Sequence, residues 1–288
     1  MANLIECYDV GGTNIRGAIF ESSGKVLMTS RCKTIRKNKL SFIKQIEKMS
    51  ELLRKSISKN CKIKLVTIAL PGYVEKNILI NAPVFGIKNL DVAKKLKRKI
   101  KEPIFIINDV KAATRAELKF GIGKTTKNFY VLTISTGIGS GLVLDKKVVN
   151  NFYGEFGHDV LERDPKKARL CNCKKKGCWQ AMASGYALEK IKKPNESWKD
   201  FYKKNKKITK QVRDYNAHGI GNMLNAFSVD KIVIMGSMGI EQFKKIVPNR
   251  KEIEKYTYIK VPEIVPTKLG DTIGLLGAYI FALEKTSK

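Results

Sequence analysis

The fold of this chain is decided by residues 9–27, DVGGTNIRGAIFESSGKVL, and by their echo at residues 135–149, STGIGSGLVLDKKVV. In both stretches a glycine turn follows an apolar run and leads into a second apolar run, a polar turn and a third run. This pattern predicts a strand, a glycine turn, a strand, a turn and a strand. Two copies of such a unit predict a duplicated α/β architecture in two lobes. A chance resemblance between two β-hairpins is the alternative explanation.

The segments around the two copies alternate between helical and extended patterns. Apolar residues at helical spacing predict helices over residues 41–59 (with Ser41 as the cap), 89–100, 111–121, 179–192, 208–227 and 270–285. Short apolar runs predict buried strands over residues 64–70, 103–109 and 231–236. We therefore expect a small α/β lobe over residues 1–110, completed by a C-terminal helix at about residues 273–288, and a large α/β lobe over residues 111–272.

The charge of the chain is strongly positive, with 56 Lys and Arg residues against 26 Asp and Glu and a net charge of +30. Clustered basic residues can neutralise the phosphates of a nucleic acid. Here the basic residues are spread along the chain and are mostly Lys, and neither a DNA-reading zinc finger nor an aromatic RNA-binding motif accompanies them. We interpret the charge as solvated surface, with no specific nucleic-acid partner.

The chain has no pattern that predicts membrane insertion or export. Its longest apolar stretches fall well short of the roughly 20 residues that cross a membrane, so no membrane partner is expected. The N-terminal sequence MANLIECYDVGG lacks the basic and apolar regions of a secretory signal. We therefore expect a cytoplasmic protein, in which six cysteines favour a metal cluster over a disulfide framework.

Both glycine turns are candidates for phosphate binding. Backbone N–H groups in such turns can approach phosphate oxygens, and a Thr hydroxyl adds another donor. Asp9, just before the first turn, can hold a hydrated Mg²⁺. A third glycine-containing segment, Gly236 to Gly239, follows an apolar strand, where a nucleotide can lie against the backbone. A single Gly-Gly turn is an ordinary hairpin device, whereas two turns that face each other would clamp the phosphates.

Three cysteines are clustered as Cys-x-Cys-x₄-Cys, at Cys171, Cys173 and Cys178, and His158 precedes them. Three sulfur ligands and one nitrogen ligand make up a closed, tetrahedral structural Zn²⁺ site. Three free or buried thiols and a core histidine are the alternative. A zinc ion with four protein ligands keeps no open position for water, so we expect a structural and not a catalytic metal.

The dipeptide Asn108–Asp109 lies where a buried strand is expected to end and a helix to begin. The end of a buried strand is a rigid platform for a catalytic side chain. Phosphorylation of a hydroxyl group needs positioning, charge neutralisation and one carboxylate that accepts the hydroxyl proton. An ordinary helix N-cap is the alternative role for this dipeptide.

These motifs together resemble the actin-like ATPase superfamily of sugar kinases, and most closely its ROK family (repressors, open reading frames and kinases). The resemblance runs through nearly the whole chain and is strongest in Gly154-Glu-Phe-Gly-His158 and in the cysteine segment. It implies a two-lobed actin-like ATPase (ribonuclease H-like) fold with a cleft between the lobes. It also implies a sugar kinase that uses ATP and Mg²⁺, holds a structural Zn²⁺ and forms a homodimer.

The resemblance assigns roles residue by residue. Asp109 matches the family's catalytic base, and Asp9 matches the residue that holds Mg²⁺, through water. The expected sugar-binding residues are Gly72, Asn81, Asn108, Asp109, Glu155, His158 and Gln180. The expected ATP-binding residues are Asp9, Gly11, Gly12, Thr13, Asn14, Thr136, Gly137, Gly236 and Gly239. The expected zinc ligands are His158, Cys171, Cys173 and Cys178.

The sequence departs from the family pattern at position 180. The family's zinc segment runs on to Gly-Cys-x-Glu, whose Glu accepts hydrogen bonds from the sugar, whereas this chain has Gln180. Gln keeps an acceptor, adds an NH₂ donor and loses the charge. We expect sugar binding to weaken or to shift among epimers or N-acetyl derivatives.

The expected function is that of a hexokinase or glucokinase, which transfers the γ-phosphate of ATP to the 6-hydroxyl of a hexose such as glucose. An N-acetylhexosamine kinase (for N-acetylglucosamine or N-acetylmannosamine) and a broad-specificity hexokinase are the alternatives within the family. The family's repressors bind DNA through an N-terminal helix-turn-helix, and we expect none here because Asp9 lies so near the start. A basic nucleic-acid-binding protein rests on the charge alone.

Overall fold

The computed structural model of the protein describes residues 2–35, 37–38, 40–58 and 60–286. The chain divides into two compact units, of which unit 1 comprises Met1–Lys119 and Leu269–Lys288 and unit 2 comprises Phe120–Lys268. Unit 1 is therefore discontinuous in sequence, whereas unit 2 is one continuous segment. The lobe boundaries that the sequence predicts, near residues 110 and 272, stay a prediction.

The helices and strands are numbered in chain order. The first segment of unit 1 contains β1 (Ala2–Val10), β2 (Asn14–Glu21), β3 (Val26–Lys33), α1 (Ser41–Lys55), β4 (Cys61–Leu70), β5 (Tyr73–Glu75), β6 (Ile78–Ala82), β7 (Ile87–Leu90), α2 (Val92–Leu96) and β8 (Ile104–Asn108), and it ends in α3 (Asp109–Phe120). Unit 2 contains β9 (Phe129–Ile134), β10 (Ile138–Leu144), β11 (Lys147–Val148), α4 (Trp179–Ala183), α5 (Gly185–Glu189), α6 (Trp198–Lys204), α7 (Lys206–Ala226), β12 (Lys231–Met235), α8 (Ser237–Glu241), α9 (Phe243–Ile246), α10 (Arg250–Ile253) and β13 (Glu263–Pro266). The chain then returns to unit 1 as α11 (Ile273–Thr286).

The main sheets of the two units have the same topology. The strand order is β3-β2-β1-β4-β8 in unit 1 and β11-β10-β9-β12-β13 in unit 2. In each sheet the first three strands along the chain are antiparallel neighbours, and the last two run parallel to the first. The duplication that the two glycine-turn stretches predict is therefore confirmed at the level of strand order and direction.

The core of unit 1 lies between its main sheet and the helices that cover it. Helix α1 turns Phe42, Ile46, Met49 and Leu53 inward at helical spacing, and each such side chain stabilises the fold by about 1.5–3 kcal/mol on burial. Helix α11 packs on β1 and β4, and its Tyr279 ring stacks on Phe20 with centroids 4.7 Å apart. Two layers of helix thus enclose the sheet.

The core of unit 2 is built from the apolar strands β9 and β12 and from α4 and α7. Tyr130, Leu132, Trp179, Ile220 and Ile232 are fully buried in it. The indole N–H of Trp179 donates to the side chain of Asn216 at 2.8 Å, so the largest buried side chain has its polar atom satisfied. This packing anchors the start of α4 directly after Cys178.

Several predicted elements differ from the observed ones. The helix predicted over residues 89–100 is β7 followed by the short α2, because Asn89 takes a left-handed conformation (φ 49°) and Asp91 caps a new helix by accepting from the N–H of Lys94. A three-stranded sheet of β5, β6 and β7 was not predicted. Ser41 is not the cap of α1, since residue 40 takes that place without a side-chain bond.

The predicted helix boundaries also change at the ends. Helix α1 ends at Lys55, and Lys59, the last residue of the predicted helix, lies outside the described residues. The helix predicted over residues 179–192 is broken at Ser184 into α4 and α5. Ser287 and Lys288, which the predicted C-terminal helix includes, also lie outside the described residues. Among the helices that the structure describes, none has the length and apolar character to span a membrane.

Candidate functional site

The glycine turn of unit 1 joins β1 to β2 and is held closed by its own backbone. The N–H of Gly11 donates to the carbonyl of Asn14 at 2.8 Å, and the hydroxyl of Thr34 donates to the carbonyl of Gly11 at 2.7 Å. Gly12 and Thr13 form the tip of the turn, and Asn14 is the first residue of β2. The expected phosphate-binding residues of this turn are thus adjacent in space, on the edge where β1 ends.

Asp9 lies behind this turn in a charged network. Its carboxylate is 3.4 Å from one nitrogen of Arg16, whose other nitrogen is 2.7 Å from Asp271. Arg31 is 3.6 Å from the same oxygen of Asp271. Burial raises the pKa of Asp9 to about 6, although the neighbouring Arg16 lowers it. Sequence reasoning missed Arg16 and Asp271 as site residues, because 255 positions separate them.

The backbone of α11 closes the space around Asp9. A Cβ atom at Gly274 would lie 2.4 Å from Cγ of Asp9, so only glycine lets the helix pass so close to the carboxylate. The close approach of α11 to Asp9 is therefore the physical reason for a glycine at position 274.

Three residues of unit 1 that are expected to bind the sugar, Gly72, Asn81 and Asn108, lie next to one another. Asn108, at the end of β8, donates its side-chain amide to the carbonyl of Gly72 at 2.9 Å and accepts from the N–H of Lys111 at 3.0 Å. Gly72 has φ 126°, and a Cβ there would lie 2.4 Å from the carbonyl oxygen of Asn81. Asn108 thus caps α3 and also ties the Pro-Gly turn to the strand.

Asp109 is the first residue of α3, directly after β8. Its carboxylate accepts a hydrogen bond from the N–H of Val110 at 2.9 Å. A carboxylate in the first turn of a helix interacts favourably with the helix dipole and with backbone donors. A carboxylate in this place is suited to accept a proton from a bound hydroxyl group.

The glycine turn of unit 2, formed by Ser135, Thr136 and Gly137 between β9 and β10, is backed by neutral groups. The N–H of Gly185 donates to the carbonyl of Ser135 at 2.7 Å, and the N–H of Tyr186 donates to that of Thr136 at 3.0 Å. The hydroxyls of Ser135 and Ser237 are 3.2 Å apart. This turn is called the unit 2 turn below.

The third glycine segment follows β12 beside the unit 2 turn. Gly236 has φ 88°, and a Cβ there would lie 2.7 Å from the carbonyl oxygen of Ile134. A Cβ at Gly239 would lie 2.8 Å from Cγ2 of Ile234 in β12 and 3.3 Å from Cβ of Ile134 in β9. The close approach of this segment to β9 therefore depends on its two glycines, and it brings four of the expected ATP-binding residues together in unit 2.

The segment from Gly154 to His158 lies along β10. A Cβ at Gly154 would lie 1.7 Å from the carbonyl oxygen of Ser140, and one at Gly157 would lie 2.1 Å from that of Ile138. The two glycines let the segment approach the strand, and the short 3₁₀ turn Phe156–His158 follows. Glu155 is half exposed, and its carboxylate is 3.8 Å from Nε2 of His158.

The four expected zinc ligands come together as one group, which we call the cysteine cluster. The ligand atoms of His158, Cys171, Cys173 and Cys178 all lie within 4.8 Å of one another. Nδ1 of His158 is 3.6 Å from Sγ of Cys171, and Sγ of Cys173 is 3.6 Å from Sγ of Cys178. Ligands of a tetrahedral zinc ion, bound at about 2.0–2.3 Å, are about 3.6–3.8 Å apart. The donor set and its spacing fit a structural zinc ion.

The orientation of His158 suits a metal ligand. Its Nδ1 faces the cysteines and its Nε2 faces Glu155, so one nitrogen is available to a metal and the other to a second partner. Burial and the nearby Lys175 lower the pKa of His158, which favours the neutral imidazole that binds metals. Two residues of the predicted sugar-binding segment therefore meet the cysteine cluster directly.

Gln180 lies deep between the cysteine cluster and the unit 2 turn. Its side chain is only 6% exposed. Its oxygen accepts from the N–H of Ile138 at 3.4 Å, and its nitrogen donates to Oδ1 of Asn172 at 2.7 Å and to Sγ of Cys171 at 3.4 Å. The side chain expected to contact the sugar is thus bonded within unit 2 at both ends.

Known proteins resemble this chain in sequence and in fold. The model of the ROK family matches residues 5–285. An N-acetylmannosamine kinase of Haemophilus influenzae is 29% identical over 94% of this chain and 92% of its own length. A glucokinase of Halalkalibacterium halodurans is 26% identical over 93% of this chain and 92% of its own length. The crystal structure of a ROK hexokinase from Thermus thermophilus covers 99% of this chain and 100% of its own, with a TM-score of 0.76 and 23% identity.

The chain belongs to the ROK family, since the family's sequence model covers nearly all of it. The expected fold class, an α/β fold of the actin-like ATPase type with duplicated units, is confirmed by the sheet topology and by the similarity to the ROK hexokinase. The relatives described above match this chain over almost its whole length and are named as sugar kinases.

Proposed function

We propose that this ROK sugar kinase transfers the γ-phosphoryl group of ATP to the 6-hydroxyl of a hexose or of its N-acetylated 2-amino derivative. The observation that supports the proposal most is the position of Asp109. It begins α3 at the end of a buried strand, next to Asn108, which is bonded to Gly72. One carboxylate beside a polar rim of backbone and amide groups is what a hydroxyl acceptor requires.

The proposed transfer forms one bond to phosphorus and breaks another. The 6-oxygen of the sugar attacks the γ-phosphorus, the bond between that phosphorus and the β,γ-bridging oxygen breaks, and ADP leaves. The carboxylate of Asp109 takes the proton of the hydroxyl group. Asn108, Gly72 and Asn81 are proposed to orient the sugar, and Glu155 and His158 are further proposed sugar contacts.

The phosphates of ATP are assigned to the glycine turns. In unit 1 the proposed residues are Asp9, Gly11, Gly12, Thr13 and Asn14, and in unit 2 they are Thr136, Gly137, Gly236 and Gly239. Asp9 would hold Mg²⁺ through water, and the ion would neutralise charge on the phosphates when bound. Burial raises the pKa of Asp9 to about 6, and a bound cation would favour the ionised form of this carboxylate.

The cysteine cluster is proposed to hold a structural zinc ion through His158, Cys171, Cys173 and Cys178. The support is the donor set and its spacing, in which all four ligand atoms lie within 4.8 Å of one another. Four protein ligands fill a tetrahedral site. The cluster would therefore fix the loop that carries His158 and would take no part in proton transfer.

An N-acetylhexosamine is the second candidate substrate. The curated N-acetylmannosamine kinase shares 29% identity with this chain, against 26% for the glucokinase. In addition, the buried Gln180 replaces the Glu that the family pattern places at the sugar. We therefore propose that glucose, N-acetylglucosamine and N-acetylmannosamine all be tested as acceptors.

An assay of ADP release tests the proposed function. Purified protein is mixed with MgATP and a panel of hexoses and N-acetylhexosamines, with the Asp109→Asn variant as the comparison. We expect sugar-dependent ADP release and a 6-phosphorylated product with the wild type, and loss of both with Asp109→Asn. Release without any sugar dependence, or an equal rate in the variant, would refute the proposal.

The remaining expectations about partners are part of the proposal. The family resemblance supports a homodimer in the cytoplasm that acts in carbohydrate metabolism such as glycolysis, without a specific nucleic-acid partner. Sedimentation of the purified protein tests the oligomer. Retention on DNA at physiological salt, with no sugar-dependent turnover, would instead favour the nucleic-acid-binding alternative.

A further inference from the structure

Gln180 joins two features of unit 2 that have separate proposed roles. It is the second residue of α4, which begins directly after Cys178. On one side its amide nitrogen donates to Asn172 and to Cys171 of the cysteine cluster. On the other side its amide oxygen accepts from the N–H of Ile138, next to Gly137 of the unit 2 turn. A buried amide bonded at both ends is costly to disturb, because any group left unpaired keeps its full desolvation cost.

In this chain the partners of the side chain at position 180 suit an amide. The nitrogen of Gln180 donates to a sulfur that binds metal as a thiolate, and to an amide oxygen 2.7 Å away. A carboxylate has no hydrogen to donate and would place its charge beside the thiolate. The glutamine in place of the family's glutamate therefore matches the partners that surround it in this chain.

The backbone supplies a second path along the same segment. Residues 178–186 begin at a ligand of the cysteine cluster and end at the unit 2 turn, where Gly185 and Tyr186 donate to the carbonyls of Ser135 and Thr136. A Cβ at Gly137 would lie 3.2 Å from the oxygen of Gln180, so the turn rests closely on this side chain. A movement of the segment that carries the cysteine cluster would thus be transmitted to the unit 2 turn through Gln180.

We propose that Gln180 is a positioning residue that couples the cysteine cluster to the unit 2 turn, so that metal in the cluster strengthens nucleotide binding at the turn. The role rests on the proposed function, which assigns zinc to the cluster and phosphates to the turn. Coupling between two binding sites is reciprocal in binding free energy, so bound nucleotide must also raise the affinity of the cysteine cluster for metal.

The test uses the zinc-loaded protein and two measurements that need no phosphoryl transfer. Gln180→Glu removes the two donated bonds and keeps the size of the side chain, and Gln211→Glu makes the same change at an exposed position of α7. The first measurement is the rate at which a coloured chelator withdraws zinc. We expect about a tenfold to hundredfold faster rate in Gln180→Glu, the usual effect of removing a bond to a metal ligand, and the wild-type rate in Gln211→Glu.

The second measurement is the affinity for ADP, by calorimetry, with zinc-loaded and with chelator-treated protein. In the wild type and in Gln211→Glu, zinc removal is expected to weaken ADP binding several-fold. In Gln180→Glu the binding is expected to be weak in both states, because the link is already broken. The KM for ATP should rise in this variant.

Three outcomes would overturn the coupling role. They are wild-type zinc release in Gln180→Glu, an ADP affinity that still depends on zinc as in the wild type, and a lower KM for the sugar with unchanged zinc release. If Gln180→Glu does not fold, the half-buried Asn172 offers Asn172→Ala, which deletes the 2.7 Å bond from Gln180 together with the 3.3 Å contact to Sγ of Cys171 and should speed zinc release. A protein that couples zinc to ADP but phosphorylates no sugar would refute the proposed function alone.

Discussion

The two glycine turns lie at the same point of two sheets with the same strand order, yet the groups behind them differ in charge. Behind the unit 1 turn lie a carboxylate, a guanidinium and a second carboxylate, those of Asp9, Arg16 and Asp271. Behind the unit 2 turn lie the amide of Gln180 and the hydroxyl of Ser237. The duplication thus preserved the backbone that can bind phosphate, while the side chains diverged into one charged and one neutral support.

The largest effect is expected at Asp109, because this residue of unit 1 is the proposed acceptor of the hydroxyl proton. Asp109→Asn keeps the size of the side chain and removes its basicity, so kcat should fall about 10²–10⁴-fold. Asp145→Asn is the matched control, since this exposed residue of unit 2 has φ 49°, a conformation that Asn also tolerates. A wild-type kcat in Asp109→Asn would contradict the assignment of proton transfer to this residue of unit 1.

The second-largest effect is expected in the cysteine cluster, which Gln180 links to the unit 2 turn. Cys178 is fully buried in the cysteine cluster, and Cys178→Ser should release the metal and lower the unfolding temperature by about 5–10 °C. A zinc chelator should lower the unfolding temperature of the wild type by a similar amount. Cys61→Ser, at the start of β4 in unit 1, is the control. Identical melting curves with and without chelator, in protein that contains no zinc, would contradict the metal assignment.

A smaller effect compares the two turns directly. Gly274→Ala would place a methyl group 2.4 Å from Cγ of Asp9, whereas Gly137→Ala would place one 3.2 Å from the oxygen of Gln180. Overpacking of the first kind costs about 1–3 kcal/mol, so kcat/KM for ATP should fall about tenfold or more in Gly274→Ala. The fall in Gly137→Ala should be severalfold smaller. The reverse order would show that the unit 2 turn is the more tightly supported one.

The smallest effect concerns a second charged network in unit 1. Arg54 donates to Glu102 at 2.8 Å and to the buried Glu6 at 2.8 Å. Burial raises the pKa of Glu102, but the bonds from Arg54 outweigh it and hold the pKa below the usual value of 4.5. The resulting stabilisation is complete above pH 4.5 and is lost as the pH falls through the lowered pKa.

Glu102→Gln tests this network. The free energy of unfolding should fall by about 0.5–1 kcal/mol at pH 7, and the difference from the wild type should vanish towards pH 2. Urea unfolding across this range measures it. Glu51→Gln, at an exposed position of α1, is the control. A difference in the free energy of unfolding between Glu102→Gln and the wild type that grows as the pH falls would contradict the lowered pKa of Glu102.

The duplicated sheets could be predicted from the sequence because glycine turns between apolar runs are local signals. The small sheet of β5, β6 and β7 was missed, since its strands are short and partly polar. A signal did exist there, because Lys76 and Asn77 form a two-residue turn with positive φ at both positions, and Asn is common in such turns. The left-handed Asn89 likewise ended a pattern that looked helical.

The candidate site was predictable where its residues are adjacent in the chain, as in the cysteine segment. The pairing of Arg16 with Asp271 was not, because nothing local links positions so distant in sequence. The direction of the Gln180 side chain was also beyond prediction. It depends on which partners the fold brings to a buried amide, namely Ile138, Asn172 and Cys171.

The return of α11 to unit 1 has a consequence for the order in which the protein folds. A ribosome completes residues 120–268, all of unit 2, before it makes this helix, and domains generally fold as units during synthesis. Until α11 emerges, the sheet face that Ala278 and Tyr279 will cover stays open to solvent. One face of β1 and β4 therefore stays uncovered until α11 has been synthesised. We expect nascent chains to need protection at that face.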